Sequence, residues 1–460
     1  MELLRDAASP EAFHNSSERF DAPKCYPDTR VAVLTKIMDW IIGRIACAVY
    51  IMWLFGPAGA GKSAIAQTIA EMCHDRGILL ASFFFSRSDP KRNSVRPLAP
   101  SLAYQIAVNI PQVKSMVEGI VAHNPAIFQS SFKVQFNTLI VEPLIRVFET
   151  QIIFYTRMPY LVIIDGLDEC TDVNIQRHIL DTIANALSRF RHRVPVMFLV
   201  SSRAERDISL TFSTPAFQGI TSRIALDDTY QPAADIRRHL EGGVAEIKKT
   251  HLHQASIPLT WPAGEDLKSL VDKSSGQFIY AATIIRYIRH SDHNPTDNLK
   301  IILGLHPRSG PTTNGEGKVT ADMPFAELDA LYKGILSRVK DIQVTLRLLG
   351  VLLLSAFPYS TPEDIAGLMF LDCGDVFRLL VDLPSVVMVR DSDYDIKFLH
   401  ASFGDFLLDQ ERSEQYHIDP GLMFTELSFF GLRHLDQYPG EYVLVLLHRN
   451  MHLYFNIFSN

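Results

Sequence analysis

The stretch Gly56-Pro57-Ala58-Gly59-Ala60-Gly61-Lys62-Ser63 fits G-x-x-x-x-G-K-[ST]. It lies between an apolar run, Ile51-Met52-Trp53-Leu54-Phe55, and a run of helix formers that continues from Ala64 with apolar residues at helical spacing. A strand that turns through glycines into a helix is the setting in which main-chain N–H groups wrap a polyphosphate. The helix N-terminus adds partial positive charge, Lys62 reaches the β/γ oxygens, and the Ser63 hydroxyl can ligate magnesium. Gly56 through Ala64 are therefore expected to contact nucleotide, with ATP or ADP and Mg2+ as cofactors. No Asn-Lys-x-Asp guanine reader is present, which removes the usual reason to prefer GTP without excluding it.

At 460 residues the chain has room for about three domains. Hydrophobic residues make up 47% and charged residues 21%, with a formal net charge of −7, so the composition is that of a globular chain and makes no case for a polyanion partner. The five cysteines (Cys25, Cys47, Cys73, Cys170, Cys373) are odd in number and form no C-x-x-C, which argues against a disulfide framework or a zinc site. The uncharged run from Ile45 to Gly61 approaches membrane length but ends in the loop glycines, so it reads as strand plus loop. With no basic segment leading into an apolar one at the start, a cytoplasmic location and no membrane partner are expected.

Apolar runs at Ile45–Phe55, Ile78–Phe85, Tyr160–Ile164, Val196–Ser201 and Ile220–Leu226 alternate with helical patterns at Ser63–His74, Val95–Ala107, Phe132–Phe148 and Ile175–Phe190. That alternation predicts an α/β fold, a P-loop NTPase with a parallel sheet and helices on both faces, over 41–230 after a lead-in segment of 1–40. Helical patterns at Ala233–Lys249, Gly264–Lys273 and Gln277–His290 predict a helical domain over 231–305. A Pro/Gly-rich linker of 306–323 follows.

Helices at Phe325–Val339, Ile342–Leu354, Pro362–Leu371 and Asp375–Asp382, then short strands at Val386–Arg390 and Asp395–Leu399, predict a winged-helix domain over 324–415. A helical tail of 416–460 completes the chain. Thr361-Pro362-Glu363-Asp364 is a strong helix start, with a capping hydroxyl, proline in the first turn and acids at the positive end of the dipole. Winged helices often bind DNA. Across Thr361–Asp382, however, five acids face one base, Arg378, so protein contacts are favoured and no nucleic acid is expected.

Tyr160-Leu161-Val162-Ile163-Ile164-Asp165-Gly166-Leu167-Asp168-Glu169 is an apolar strand ending in carboxylates. An acid at that end of a neighbouring strand holds Mg2+, and a second can polarise the attacking water. Asp165 fits the metal role with Ser63; Asp168 and Glu169 compete for the catalytic one, with the longer reach of Glu169 slightly in its favour. Met197-Phe198-Leu199-Val200-Ser201-Ser202-Arg203 ends in a cation at the same edge, so Arg203 is a candidate sensor of the γ-phosphate. Ser274-Ser275-Gly276-Gln277 mimics a transporter-ATPase signature but follows the acidic strand instead of preceding it, and is read as chance.

Assembled in this order, these residues resemble the fungal NACHT proteins, signalling NTPases related to NOD-like receptors and close to the nephrocystin 3-like N-terminal region. The likeness also rests on Cys25-Tyr26-Pro27-Asp28-Thr29-Arg30, Asp235-Ile236-Arg237-Arg238-His239-Leu240, Gly276-Gln277-Phe278-Ile279-Tyr280-Ala281-Ala282 and Leu399-His400-Ala401-Ser402-Phe403. It implies a switch in which ADP holds the nucleotide, helical and winged-helix domains closed, while exchange for ATP opens them for self-association, with protein partners unspecified. It further implies that His400 touches the ADP β-phosphate. The chain departs from related switches in carrying Gly276-Gln277-Phe278 where a Gly-Leu-Pro motif is common. A nucleotide-binding scaffold that does not hydrolyse, and a small-molecule phosphotransferase, are the alternatives.

Overall fold

The protein is represented by a computed structural model that describes residues 1–19, 22–43, 49–87, 89–150, 159–190, 194–227, 230–289, 294–305, 325–354, 361–389 and 396–437. Cys47, the start of the first expected strand, the linker of 306–323, the residues between the last two expected strands and the end of the tail lie outside the described residues. The chain divides into two units, Met1–Asp235 and Ile236–Asn460.

The first unit is built on five strands: β1 (Ile51–Phe55), β2 (Leu79–Phe84), β3 (Tyr160–Asp165), β4 (Val196–Ser202) and β5 (Thr221–Ala225). Their order is β2-β3-β4-β1-β5 and every pairing is parallel. Successive side chains of a strand point to opposite faces, so a strand covered on both sides must be apolar throughout. In β1, Ile51 and Trp53 join one core with Val162, Ile164, Phe198 and Val200, whereas Met52 and Leu54 join the other with Leu161, Ile163, Leu199 and Ile224. Helices α1 (Glu2–Ala7), α2 (Val31–Ile41), α3 (Lys62–His74), α4 (Leu98–Asn109) and α5 (Pro111–His123) come first, followed by α6 (Phe132–Phe136), α7 (Glu142–Thr150), α8 (Val173–Phe190) and α9 (Arg206–Phe212). Residues of α2 and α3 supply one core and residues of α4 to α9 the other. This is the expected parallel sheet with helices on both faces.

Three features of this unit were not expected. The helix predicted over Phe132–Phe148 is interrupted by a π-helical turn, Asn137–Val141. Helix α5 is additional to the expected helices, and its Val113, Val117 and Val121, which recur every fourth residue, are buried. The lead-in segment is woven into the domain: Leu4 and Ala12 are fully buried, Ser9 N donates to Ser101 Oγ (2.8 Å), His14 N donates to Ser82 Oγ on β2 (3.0 Å), and Gln67 Nε2 on α3 donates to the His14 carbonyl (2.9 Å).

The division between units falls within α10 (Pro232–Thr250). The second unit continues with α11 (Gly264–Ser274), α12 (Phe278–Arg289), α13 (Pro295–Leu303), α14 (Ala326–Leu336) and α15 (Ile342–Leu354). It then runs through α16 (Pro362–Met369), α17 (Cys373–Leu380), β6 (Val387–Val389), β7 (Ile396–Phe398), α18 (Ala401–Leu408), α19 (Gln410–Ser413) and α20 (Pro420–Gln437). One apolar core joins these elements, with Tyr332, Phe403 and Phe406 fully buried and ring centroids of Tyr332 and Phe403 5.0 Å apart. Strands β6 and β7 pair antiparallel, Val387 opposite Phe398. The start of α16 is capped as its sequence implies, Thr361 Oγ1 accepting from Asp364 N at 3.1 Å with Pro362 in the first turn. Among the described residues, no helix is long and apolar enough to cross a membrane.

Candidate functional site

The loop between β1 and α3 is shaped by close backbone approach. A side chain at Gly56 would put a Cβ 3.0 Å from Leu226 Cβ and 3.3 Å from the Leu226 carbonyl, beyond the end of β5. Gly61 enters the helix at φ +88°, a conformation that L-residues rarely adopt. This leaves Lys62 and Ser63 as the first residues of α3, with the orphan N–H groups and positive end of the helix at the loop. Lys62 Nζ donates to the carbonyls of Gly56 and Pro57, both at 2.9 Å. Burial lowers its pKa, an effect opposed by the nearby charge of Asp168 and reinforced by that of Arg203.

The loop is braced from below by Arg30, which is 4% exposed. Its guanidinium donates to the Ala60 carbonyl (2.8 Å), and its own N–H donates to Asp235 Oδ2 (2.9 Å). Arg30 holds φ +57° at the start of α2, and Thr29 Oγ1 ties back to the Tyr26 carbonyl at 2.6 Å. The Cys25-to-Arg30 stretch is thus a mount for the loop.

Asp165 ends β3 beside it. Its carboxylate accepts from the Ser201 hydroxyl of β4 and from the Ser63 hydroxyl of α3. Burial pushes its pKa up, while those two hydroxyls and the charges of Arg19 and Lys62 pull the other way. The structure therefore brings Ser63 and Asp165, the two expected metal ligands, into direct contact. They offer hard oxygen donors of the kind magnesium takes, the rest of its shell coming from water and phosphate.

Asp168 and Glu169 sit on one turn of 3-10 helix, Leu167–Glu169, and are held differently. Asp168, 3% exposed at its side chain, takes Arg203 twice: Oδ1 accepts the Arg203 main-chain N–H (2.9 Å) and Oδ2 meets its Nε (3.1 Å). Glu169 Oε2 accepts the Arg87 N–H at 3.1 Å, and the Arg87 guanidinium reaches the Asp168 carbonyl at 3.1 Å. Burial, with the neighbouring Asp168 charge, raises the Glu169 pKa to about 7. Lys62, Ser63, Asp165, Asp168, Glu169 and Arg203 thus converge at the carboxyl ends of β1, β3 and β4.

His400 belongs to the second unit, at the N-cap of α18 after β7. Burial, with the Arg286 charge adding to it, lowers its pKa to about 3, so the ring is neutral at ordinary pH. Ser201, Arg30 and Arg87 were missed as contributors. Ser201 could have been found as the polar residue closing an apolar strand, whereas Arg30 and Arg87 carry no local signal of what they touch.

Residues 36–203 match the family model described as Nephrocystin 3, N-terminal. That match takes in the loop, β3 and its carboxylates, and ends at Arg203. No curated protein matches the chain. Solved structures similar to it include the following two. The Aeropyrum pernix ORC1 protein in complex with DNA is 12% identical, with 85% of this chain and 94% of that chain covered and a TM-score of 0.38. Drosophila ORC bound to poly(dA/dT) DNA and Cdc6 is 12% identical, with 97% and 67% covered and a TM-score of 0.28. Both are DNA complexes, so the expectation that nucleic acid is no partner is withdrawn. Its basis was a charge count on Thr361–Asp382, which says nothing of surfaces formed elsewhere in the chain.

Proposed function

We propose that this chain binds ATP and ADP with Mg2+ at the Gly56–Ser63 loop and hydrolyses ATP slowly, as a signalling switch of the NACHT type whose triphosphate state self-associates. The observation that carries the reading is the joint placement of Lys62, Ser63, Asp165, Asp168, Glu169 and Arg203 at one sheet edge. The loop amides and Lys62 hold the phosphate chain, the ammonium exchanging neutral carbonyl acceptors for oxygens of opposite charge. Ser63 and Asp165 would hold magnesium, which when bound would neutralise charge on the phosphate oxygens. Glu169, poised near neutrality, takes the proton of the attacking water. Asp168 fixes Arg203 so that its guanidinium registers the terminal phosphate.

In the second unit we propose that α15, α16 and α17 with the β6–β7 hairpin form a winged helix, preceded by a helical domain. A nucleotide at a hundredfold over its dissociation constant supplies about 2.7 kcal/mol to the state it prefers, enough to move a switch. The test is particle mass in solution after loading with ADP or with ATP. A larger assembly with ATP, and slow phosphate release that needs no added acceptor, is expected. Identical masses in both states would leave a nucleotide-holding scaffold, and turnover dependent on an acceptor would mean a phosphotransferase.

A further inference from the structure

The segment ahead of the loop carries a half-buried cation that no role above uses. Arg19 closes a short helical turn, Ser17–Arg19, and its guanidinium lies 3.5 Å from the centroid of the Phe84 ring. Phe84 is the last residue of β2 and the register partner of Asp165. Arg19 therefore stands at the carboxyl edge of the sheet, beside the residue proposed to hold magnesium. Its charge acts on Asp165 in favour of the ionised carboxylate. Burial brings the guanidinium itself down to about 9, with the Arg92 charge lowering it further and Asp165 opposing.

Its Nη1 is buried and finds no hydrogen-bond partner among the described residues. A buried donor left unanswered is costly, and more so when it carries charge. Stacking on Phe84 accounts for the position of the guanidinium but offers that N–H no acceptor. Anionic oxygens brought by a ligand would provide one.

We infer that Arg19 is a further phosphate-binding cation, beside Lys62 and Arg203, which donates through Nη1 to an oxygen of the terminal phosphate of a bound nucleoside triphosphate. The inference rests on the nucleotide reading above and adds to it: the segment before the nucleotide-binding loop discriminates triphosphate from diphosphate. A diphosphate leaves this donor without its acceptor.

The experiment is equilibrium titration of the full chain with ATP and with ADP, in the presence of magnesium, for wild type, Arg19→Gln and Arg19→Lys. Arg19→Gln is expected to weaken ATP about tenfold or more, the order of one charged hydrogen bond, and to change ADP by less than about twofold. Arg19→Lys keeps the charge but not the fork and is expected to lower the ATP-to-ADP preference about threefold. Equal losses for both nucleotides, or an unchanged preference, would overturn the assignment while leaving the nucleotide site intact. If Arg19→Gln does not fold, the Arg19→Lys preference decides in the same way. A wild-type chain that binds neither nucleotide would overturn both readings.

Discussion

Asp168 and Glu169 are adjacent in sequence, and the structure gives them separate environments. Asp168 is engaged twice by Arg203, whereas Glu169 accepts a main-chain N–H and is raised to about 7 by burial and by the charge of Asp168. A base that loses its proton near pH 7 makes the hydrolysis rate climb with pH through that region. In Glu169→Gln, that inflection should vanish and the rate fall about 10²-fold or more, with ATP still bound. Stability moves in the opposite sense. Because the folded-state pKa lies above the ordinary 4.5, the folded protein binds more protons than the unfolded one between about 4.5 and 7. The nucleotide-free protein should therefore lose stability as pH rises through that window, and denaturant midpoints of Glu169→Gln should lack this slope.

At the scale of elements, the loop depends on how closely β1 passes the end of β5. Leu226 N donates to the Phe55 carbonyl at 2.8 Å, so the backbone that a Cβ at Gly56 would meet is itself tied to the sheet. Gly56→Ala should cost about 1–3 kcal/mol through overpacking, read as a lower urea midpoint with an unchanged slope. An unaltered midpoint would show that the end of β5 yields freely.

Strands β1, β2, β3 and β4 were legible as apolar runs buried on both faces, whereas β5, Thr221–Ala225 at the sheet edge, buries Ile224 and carries Thr, Ser and Arg. The loop was legible because its glycines, lysine and serine follow a fixed spacing between a strand and a helix. Less was legible where the cause is tertiary. Helix α5 shows its period in Val113, Val117 and Val121, yet it begins straight after α4 and was passed over. The first nineteen residues are too short and polar to declare a core position, but Leu4 and Ala12 fill one and His14 hydrogen-bonds to β2 and α3. Arg19, Arg30 and Arg87 meet partners far along the chain or from another element, so no local pattern marks them.

Across the whole molecule, the proposed switch relies on the cradle of the first unit to drive the change of state. Its capacity to do so is bounded by how differently it binds two nucleotides, which places the weight on Lys62 and the amides around it. The net charge of −7 sets no limit here, because a site of a few cations and main-chain dipoles works against any average. The match of residues 36–203 to the nephrocystin 3 N-terminal region covers the cradle and the acidic strand, and the remainder of the proposed switch rests on its own chemistry. Equilibrium titration of wild type and Lys62→Ala with ATP and magnesium tests the centre of the account most directly. It predicts saturable binding by the wild type and none measurable for Lys62→Ala, since charged hydrogen bonds of roughly 1.5–3 kcal/mol each are lost. Binding of Lys62→Ala at wild-type affinity would contradict it.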